Sequence, residues 1–197
     1  MLKRLFDIIG SIIGLFLLSP LFLLLSIWIK IDSKGPVFYR QKRVGKNGKL
    51  FSLFKFRSMN IGAEKNGLLT VGRNDSRITR SGFFIRKYKL DEFPQLINVL
   101  SGDMSIVGPR PEVPKYVALY NENQMKVLQI KPGISDWASI KFSNESELLE
   151  KSENPEKFYL NEVMPQKLAL NLKYVETKTI WMDFKIIFFT IKKILTG

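Results

Sequence analysis

From Ile8 to Ile29 the chain runs for 22 residues without a charged side chain. As a helix this stretch is about 33 Å long, against roughly 30 Å for the hydrocarbon core of a bilayer. It exceeds the apolar part of a secretory signal and ends in Trp28-Ile29-Lys30 with no small-residue cleavage site. A membrane helix is therefore expected within residues 1–33. Ser19-Pro20 lies at its centre, and proline there removes a backbone donor and crowds the carbonyl of Phe16, so a kink or break is expected. A kinked span and a re-entrant helix that enters, breaks and returns both fit the pattern. Two half-helices of about 11 residues would each reach about 16 Å, one leaflet deep.

Beyond this run the pattern is that of a compact domain. Val37 to Arg40 and Leu50 to Arg57 are β-prone runs around Gly45-Lys46-Asn47-Gly48, and Asn-Gly is a strong hairpin signal. Helices are expected from Ser81-Gly82 through Lys89, from Asp91 to Leu100 with Gly102 as cap, and from Pro114 to about Leu128. A turn at Lys131-Pro132-Gly133 follows, then helical stretches opened by Pro155 and Pro165 that reach toward Thr177. Glu145, Glu147, Glu150, Glu153 and Glu156 read as a solvated acidic surface.

From Thr179 to Leu195, Ile180, Phe184, Ile187, Phe188, Ile191 and Ile194 or Leu195 recur at three- and four-residue steps, with Lys185, Lys192, Lys193 and the preceding Lys178 elsewhere on the wheel. That is a basic amphipathic helix for the bilayer interface, or a terminal helix packed on protein. The expected fold class is α+β, mainly helical with a small β-hairpin. Its parts are a membrane helix (1–33), a central domain (34–177) and a C-terminal amphipathic helix (178–197) belonging to the same domain.

Composition narrows the chemistry. The 197 residues contain neither His nor Cys, which excludes disulfides, thiolate nucleophiles, Cys-ligated zinc and Ser-His-Asp mechanisms. Catalysis must then use carboxylates, Lys, Tyr, Ser/Thr or a hard cation. The net charge of +13 is uneven: residues 1–60 hold eleven Lys/Arg against two Asp/Glu, residues 61–110 eight against five, and the remainder twelve against eleven. Basic residues flank the membrane run on both sides, so both ends prefer the cytoplasmic face; a straight span satisfies one end and a re-entrant helix both, and the two stay open on composition alone.

Two segments suit phosphate chemistry. In Asp75 to Glu92, Arg77, Arg80, Arg86, Lys87 and Lys89 precede the pair Asp91-Glu92; in Ser101 to Pro111, Pro109 and Pro111 hold Arg110 in a rigid loop. A fixed guanidinium binds phosphate oxygens in pairs. Adjacent carboxylates can hold Mg²⁺ against phosphates or supply a nucleophile and its helper, although Asp-Glu also suits a helix N-terminus.

The strings D-S-R-I-T-R-S-G-F-F-I-R-K-Y-K-L-D-E-F-P-Q-L-I-N-V-L-S-G-D-M-S-I-V-G-P-R-P (Asp75 to Pro111) and K-G-P-V-F-Y-R-Q-K-R-V-G-K-N-G-K-L-F-S-L-F-K-F-R-S-M (Lys34 to Met59) closely resemble the bacterial sugar transferases, in particular the small monotopic phosphoglycosyl transferases. The resemblance extends over nearly the whole chain. It implies an Mg²⁺-dependent enzyme that moves a sugar-1-phosphate from a UDP-sugar to a polyprenyl phosphate of undecaprenyl type, releasing UMP. It further implies Asp91 as a nucleophile that carries a phosphosugar intermediate, and Glu92 as its partner, either metal ligand or base. Lys55, Arg57, Arg86, Pro109, Arg110 and Pro111 match phosphate- or nucleotide-binding positions, Asp183 a further functional acid, and Ser19-Pro20 the break of a re-entrant helix. The implied location is the bacterial inner membrane with the catalytic domain on the cytoplasmic face; homodimerisation stays open.

The chain departs from the family pattern at Gly133 to Ser139, G-I-S-D-W-A-S, where family members commonly have G-I-T-G-W-A-Q, which puts donor recognition there in question. It also looks like a minimal form, without an N-terminal extension of several helices. The competing readings are a membrane-tethered basic module that binds anionic lipid or nucleic acid without chemistry, and a related phosphotransferase with a non-sugar donor. Nucleic acid is the poorer partner, because no stacking platform interleaves the basic residues.

Overall fold

The computed structural model describes residues 2–72 and 75–196 and is mainly helical with two small sheets. The apolar run forms a single helix, α1 (Leu2–Asp32), with Pro20 inside it. The helical hydrogen bonding is not broken at Ser19-Pro20, and the reason is local. Proline cannot donate to the Phe16 carbonyl, and the Ser19 hydroxyl donates to it instead, at 2.7 Å.

Strands β1 (Phe38–Val44) and β2 (Leu50–Phe56) pair antiparallel, with Val44 opposite Leu50 and Phe38 opposite Phe56. Asn47 and Gly48 take positive φ in the connecting turn (55° and 76°), as the Asn-Gly signal predicts. Helix α2 (Arg80–Lys87) is N-capped by Thr79, whose hydroxyl accepts from Gly82 N. The expected helix from Asp91 instead begins with a 3-10 turn, Leu90–Glu92, before α3 (Gln95–Ser101). Lys89 at φ 57° ends the preceding helix, and Pro94 supplies no amide to continue hydrogen bonding through Asp91. Gly102, φ 93°, caps α3 as expected.

Strand β3 (Ser105–Val107) pairs in parallel with β4 (Gly133–Ser135). Between them the predicted long helix reduces to α4 (Pro114–Val117) and a 3-10 stretch, Gln124–Gln129. Asn121 and Gln124 exchange side-chain-to-backbone hydrogen bonds of 2.9 Å in both directions, fixing a turn where helix was expected. The remaining helices are α5 (Trp137–Lys141), α6 (Glu145–Glu150), α7 (Pro155–Phe158), α8 (Met164–Thr177), entered through a π-helical turn, and α9 (Ile180–Thr196).

Both ends of α1 are fastened to the same body. Near its start Asp7, buried, accepts from Ser105 Oγ and Ile106 N at 3.0 Å, and Arg4 donates to Leu100 O. At its end Asp32 accepts from Ser81 N and Oγ, and Leu25 and Ile29 pack with Phe56 and Ile85. The middle carries the exposed Phe16 and Leu17, 76% and 69% accessible. On α9, Trp181, Phe184, Phe188, Ile191 and Leu195 are exposed, while Asp183 and Ile186 are buried. The amphipathic pattern thus divides between a protein-facing side and a free apolar side.

Candidate active site

Strand parity delivers the first group. Lys55 shares its side of β2 with the core residues Phe51 and Leu53, so its ammonium points inward. Asn98 on α3 clamps the same strand, accepting from Phe54 N at 2.9 Å and donating to Ser52 O at 2.8 Å. That clamp carries the turn preceding α3 up to Lys55. Lys55 Nζ then lies 3.5 Å from Glu92 Oε1 and 3.8 Å from Asp91 Oδ2.

Arg110 closes the cluster with a two-point grip on Glu92, one contact at 2.8 Å and the other between Nη2 and Oε1. Its loop is held from several sides. Arg43 donates to Pro111 O at 3.0 Å, and Gly133 N donates to Pro109 O at 2.9 Å. A side chain at Gly133 would place its Cβ 2.0 Å from Gly108 N, so only glycine permits this approach. Buried Asp136 accepts from Arg110 N at 3.1 Å with one oxygen, and with the other from Ser139 N at 2.6 Å, capping α5.

The two adjacent carboxylates differ. Burial works against a charge on Glu92, but Arg110 and Lys55 outweigh it and hold its carboxyl well below the usual range. Burial likewise works against Arg110, yet Glu92, Asp136 and Asp91 leave its affinity for the proton raised. On Lys55 burial prevails over both acids and lowers the ammonium's pKa. Asp91 is 5% exposed. Among the described residues its carboxylate accepts no hydrogen bond, and the cation within 4 Å of it is Lys55, with Arg110 acting on it from farther off.

Because Glu92 titrates lower folded than unfolded, its ion pair contributes fully above the ordinary glutamate value of 4.5 and loses that contribution as pH falls further. Acid unfolding followed by circular dichroism should therefore show a steeper loss of stability below pH 4.5 in the wild type than in Glu92→Gln.

The cluster opens on a cleft of about 1480 Å³ whose walls include Lys55, Arg86, Asp91, Glu92 and Arg110, large by the measure of small-ligand pockets. Arg86 donates to Thr70 Oγ1 at 2.9 Å on its rim. Arg57 also lines this cleft, but its guanidinium is engaged. All five of its N–H groups are directed to the end of α1 and the segment after it: Pro36 O, Ser33 Oγ, Lys34 O, Ile29 O and Ser33 O, at 2.6–3.4 Å. Asp183 lies apart from the cluster, buried between Lys3 and the Tyr174 hydroxyl, which donates to it at 2.6 Å. Sequence reasoning passed over Asn98, and it noted Asp136 without its role; the one available signal was Asp three residues before Ser139, an N-cap spacing.

The sequence model of the family described as Bacterial sugar transferase matches residues 1–197, and the chain belongs to that family. Three similar proteins illustrate its range. The chain is 39% identical over 198 residues to the undecaprenyl-phosphate glucose phosphotransferase of Komagataeibacter xylinus, covering 97% of this chain and 35% of that protein. It is 37% identical to the UDP-N-acetylgalactosamine-undecaprenyl-phosphate N-acetylgalactosaminephosphotransferase of Aeromonas hydrophila, covering 100% and 44%. It is also 37% identical to the Bacillus subtilis (strain 168) protein described as uncharacterized sugar transferase EpsL, covering 100% and 88%. The chain thus spans less than half the length of the first two.

Proposed function

We propose that this chain is a phosphoglycosyl transferase that moves a sugar-1-phosphate from a UDP-sugar to a polyprenyl phosphate. The observation that carries the reading is the division of labour within Asp91-Glu92, where Glu92 is neutralised by Arg110 and Lys55 while the Asp91 carboxylate faces the cleft without a hydrogen bond among the described residues. Family membership and the names of the relatives above support the same substrates.

In the first step an oxygen of Asp91 attacks the β-phosphorus of the donor. A phosphorus–oxygen bond forms to Asp91 as the bond to the bridging oxygen breaks, and the electron pair leaves on UMP. Lys55, Arg110 and Arg86 meet that charge. In the second step a phosphate oxygen of the acceptor attacks the same phosphorus, freeing Asp91 and giving the polyprenyl diphosphate sugar. The two steps use a carboxylate oxygen and a phosphate oxygen as nucleophiles, which fits a chain without histidine. Gripped and ionised, Glu92 suits the orientation of cations better than the uptake of a proton.

Mg²⁺ belongs to this proposal. Two adjacent carboxylates are the protein share such an ion commonly takes when phosphates and water complete its shell, and among the described residues no cluster of three or more acidic, His or Cys ligands competes. Asp91 and Glu92 would hold it. When bound, the ion supplies charge neutralisation on the diphosphate.

The same reading places α1 in the cytoplasmic leaflet, turning back by a bend at Ser19-Pro20 within an unbroken helix, with the domain on the cytoplasmic face of the inner membrane. Its support is that both ends of α1 are bonded to one body, through Asp7 and Asp32, while Phe16 and Leu17 between them are exposed. With no native cysteine, single cysteines at Leu2 and Ser33 should be labelled from the same side of sealed vesicles; labelling from opposite sides would reject the re-entry. The function itself is tested by incubating purified protein with Mg²⁺, undecaprenyl phosphate and a panel of UDP-sugars. UMP release with at least one donor is expected, and none from folded protein would refute the transferase.

A further inference from the structure

A row of aromatic rings leads from the membrane helix to the catalytic cluster. Trp28, near the end of α1, packs on Phe84 of α2 at 5.4 Å between ring centroids, and Phe84 packs on Tyr88 at 4.7 Å. The three rings keep 39%, 42% and 42% of their surface exposed, and Phe83 beside them 50%. The opposite side of α2 is fixed: Ile85 is buried against Leu25 and Ile29, and Ser81 is bonded to Asp32. The free side of α2 is therefore rigidly presented.

Two features separate this row from an ordinary interfacial belt of aromatic residues. Phe83 and Tyr88 line the same cleft as Asp91, so the aromatic row reaches the cleft that holds the reacting carboxylate. The cations also gather at that end: Arg86 and Lys87 occupy the last turn of α2, Lys89 follows, and α2 carries no acid. An apolar strip that ends in cations beside a nucleophile complements a long hydrocarbon chain with a phosphate head.

Resting on the function proposed above, we propose that Trp28, Phe84 and Tyr88 seat the first isoprene units of the polyprenyl phosphate acceptor. Its phosphate then points over Lys87 and Lys89 toward Asp91.

Binding can be read without catalysis, by equilibrium titration of undecaprenyl phosphate into the detergent-solubilised full chain with no donor present. Trp28→Ser and Phe84→Ser should each weaken binding about tenfold, the scale set by loss of a buried ring, and Phe84→Leu, which keeps an apolar side chain, should weaken it less. Phe188→Ser removes a still more exposed ring from α9 (65% accessible) and should bind as the wild type does. Unchanged affinity in Trp28→Ser and Phe84→Ser, or equal weakening in Phe188→Ser, would overturn the assignment in favour of general contact with lipid. Wild-type UMP release reports separately on the parent reading: release combined with ladder variants of unchanged affinity refutes the ladder alone. Ladder-dependent binding without UMP from any donor refutes the transferase alone.

Discussion

Asp91→Asn should lower UMP release by a thousandfold or more while the protein stays folded. Asparagine matches aspartate in volume, and among the described residues the ion pair lost is the one to Lys55 at 3.8 Å, so little structural cost is expected. On the proposed function, what disappears is the oxygen that attacks phosphorus, and loss of a covalent nucleophile removes most of the rate enhancement. Single-turnover UMP release from a UDP-sugar without acceptor isolates this step. Activity within tenfold of the wild type would show that Asp91 is not the attacking group and would return the pair to the capping role that its position next to a helix also allows.

Arg110→Lys should lower turnover by about 10²- to 10³-fold, the range for removing one preorganised group that stabilises developing charge. Charge is conserved in this substitution, so the effect tests geometry. Lysine is a point charge and cannot make two parallel contacts to Glu92. Glu92 would then draw more heavily on Lys55, which lies between the two carboxylates at 3.5 and 3.8 Å, and away from Asp91. The loss should fall mainly on kcat, because Arg86 still lines the donor cleft. A lysine variant with wild-type kcat would reduce Arg110 to a structural partner of Glu92.

The pattern along the chain made several elements legible. Asn47-Gly48 between β-prone runs announced the hairpin, the helical period of residues 179–195 announced α9, and Gly102 marked the end of α3. The members of the candidate cluster could also be picked out, because Asp91-Glu92 and a proline-flanked arginine stand out in a chain without His or Cys, and the structure brings them together. Other features depend on contacts that no local pattern encodes. The parallel pairing of β3 with β4 joins three-residue segments, too short to alternate visibly, and rests on close approach of Gly108 and Gly133. The helix expected from Pro114 gave way to the Asn121–Gln124 turn, where side chains outcompete backbone bonding. At Ser19-Pro20 the serine hydroxyl made good the missing amide. Arg57, matched by its motif to the phosphate-binding positions, has its guanidinium at the carbonyls that end α1, so the lysine two residues earlier is the member of that motif facing the carboxylates.

The central claim is the covalent step on Asp91. Intact-mass measurement of the full chain, mixed with Mg²⁺ and an accepted UDP-sugar and rapidly quenched before any acceptor is added, tests it most directly. The account predicts a gain of one sugar phosphate, located on the peptide containing Asp91 and lost when undecaprenyl phosphate is supplied. Unmodified protein, with UMP released only when donor and acceptor are both present, would contradict it and indicate direct transfer between the two substrates.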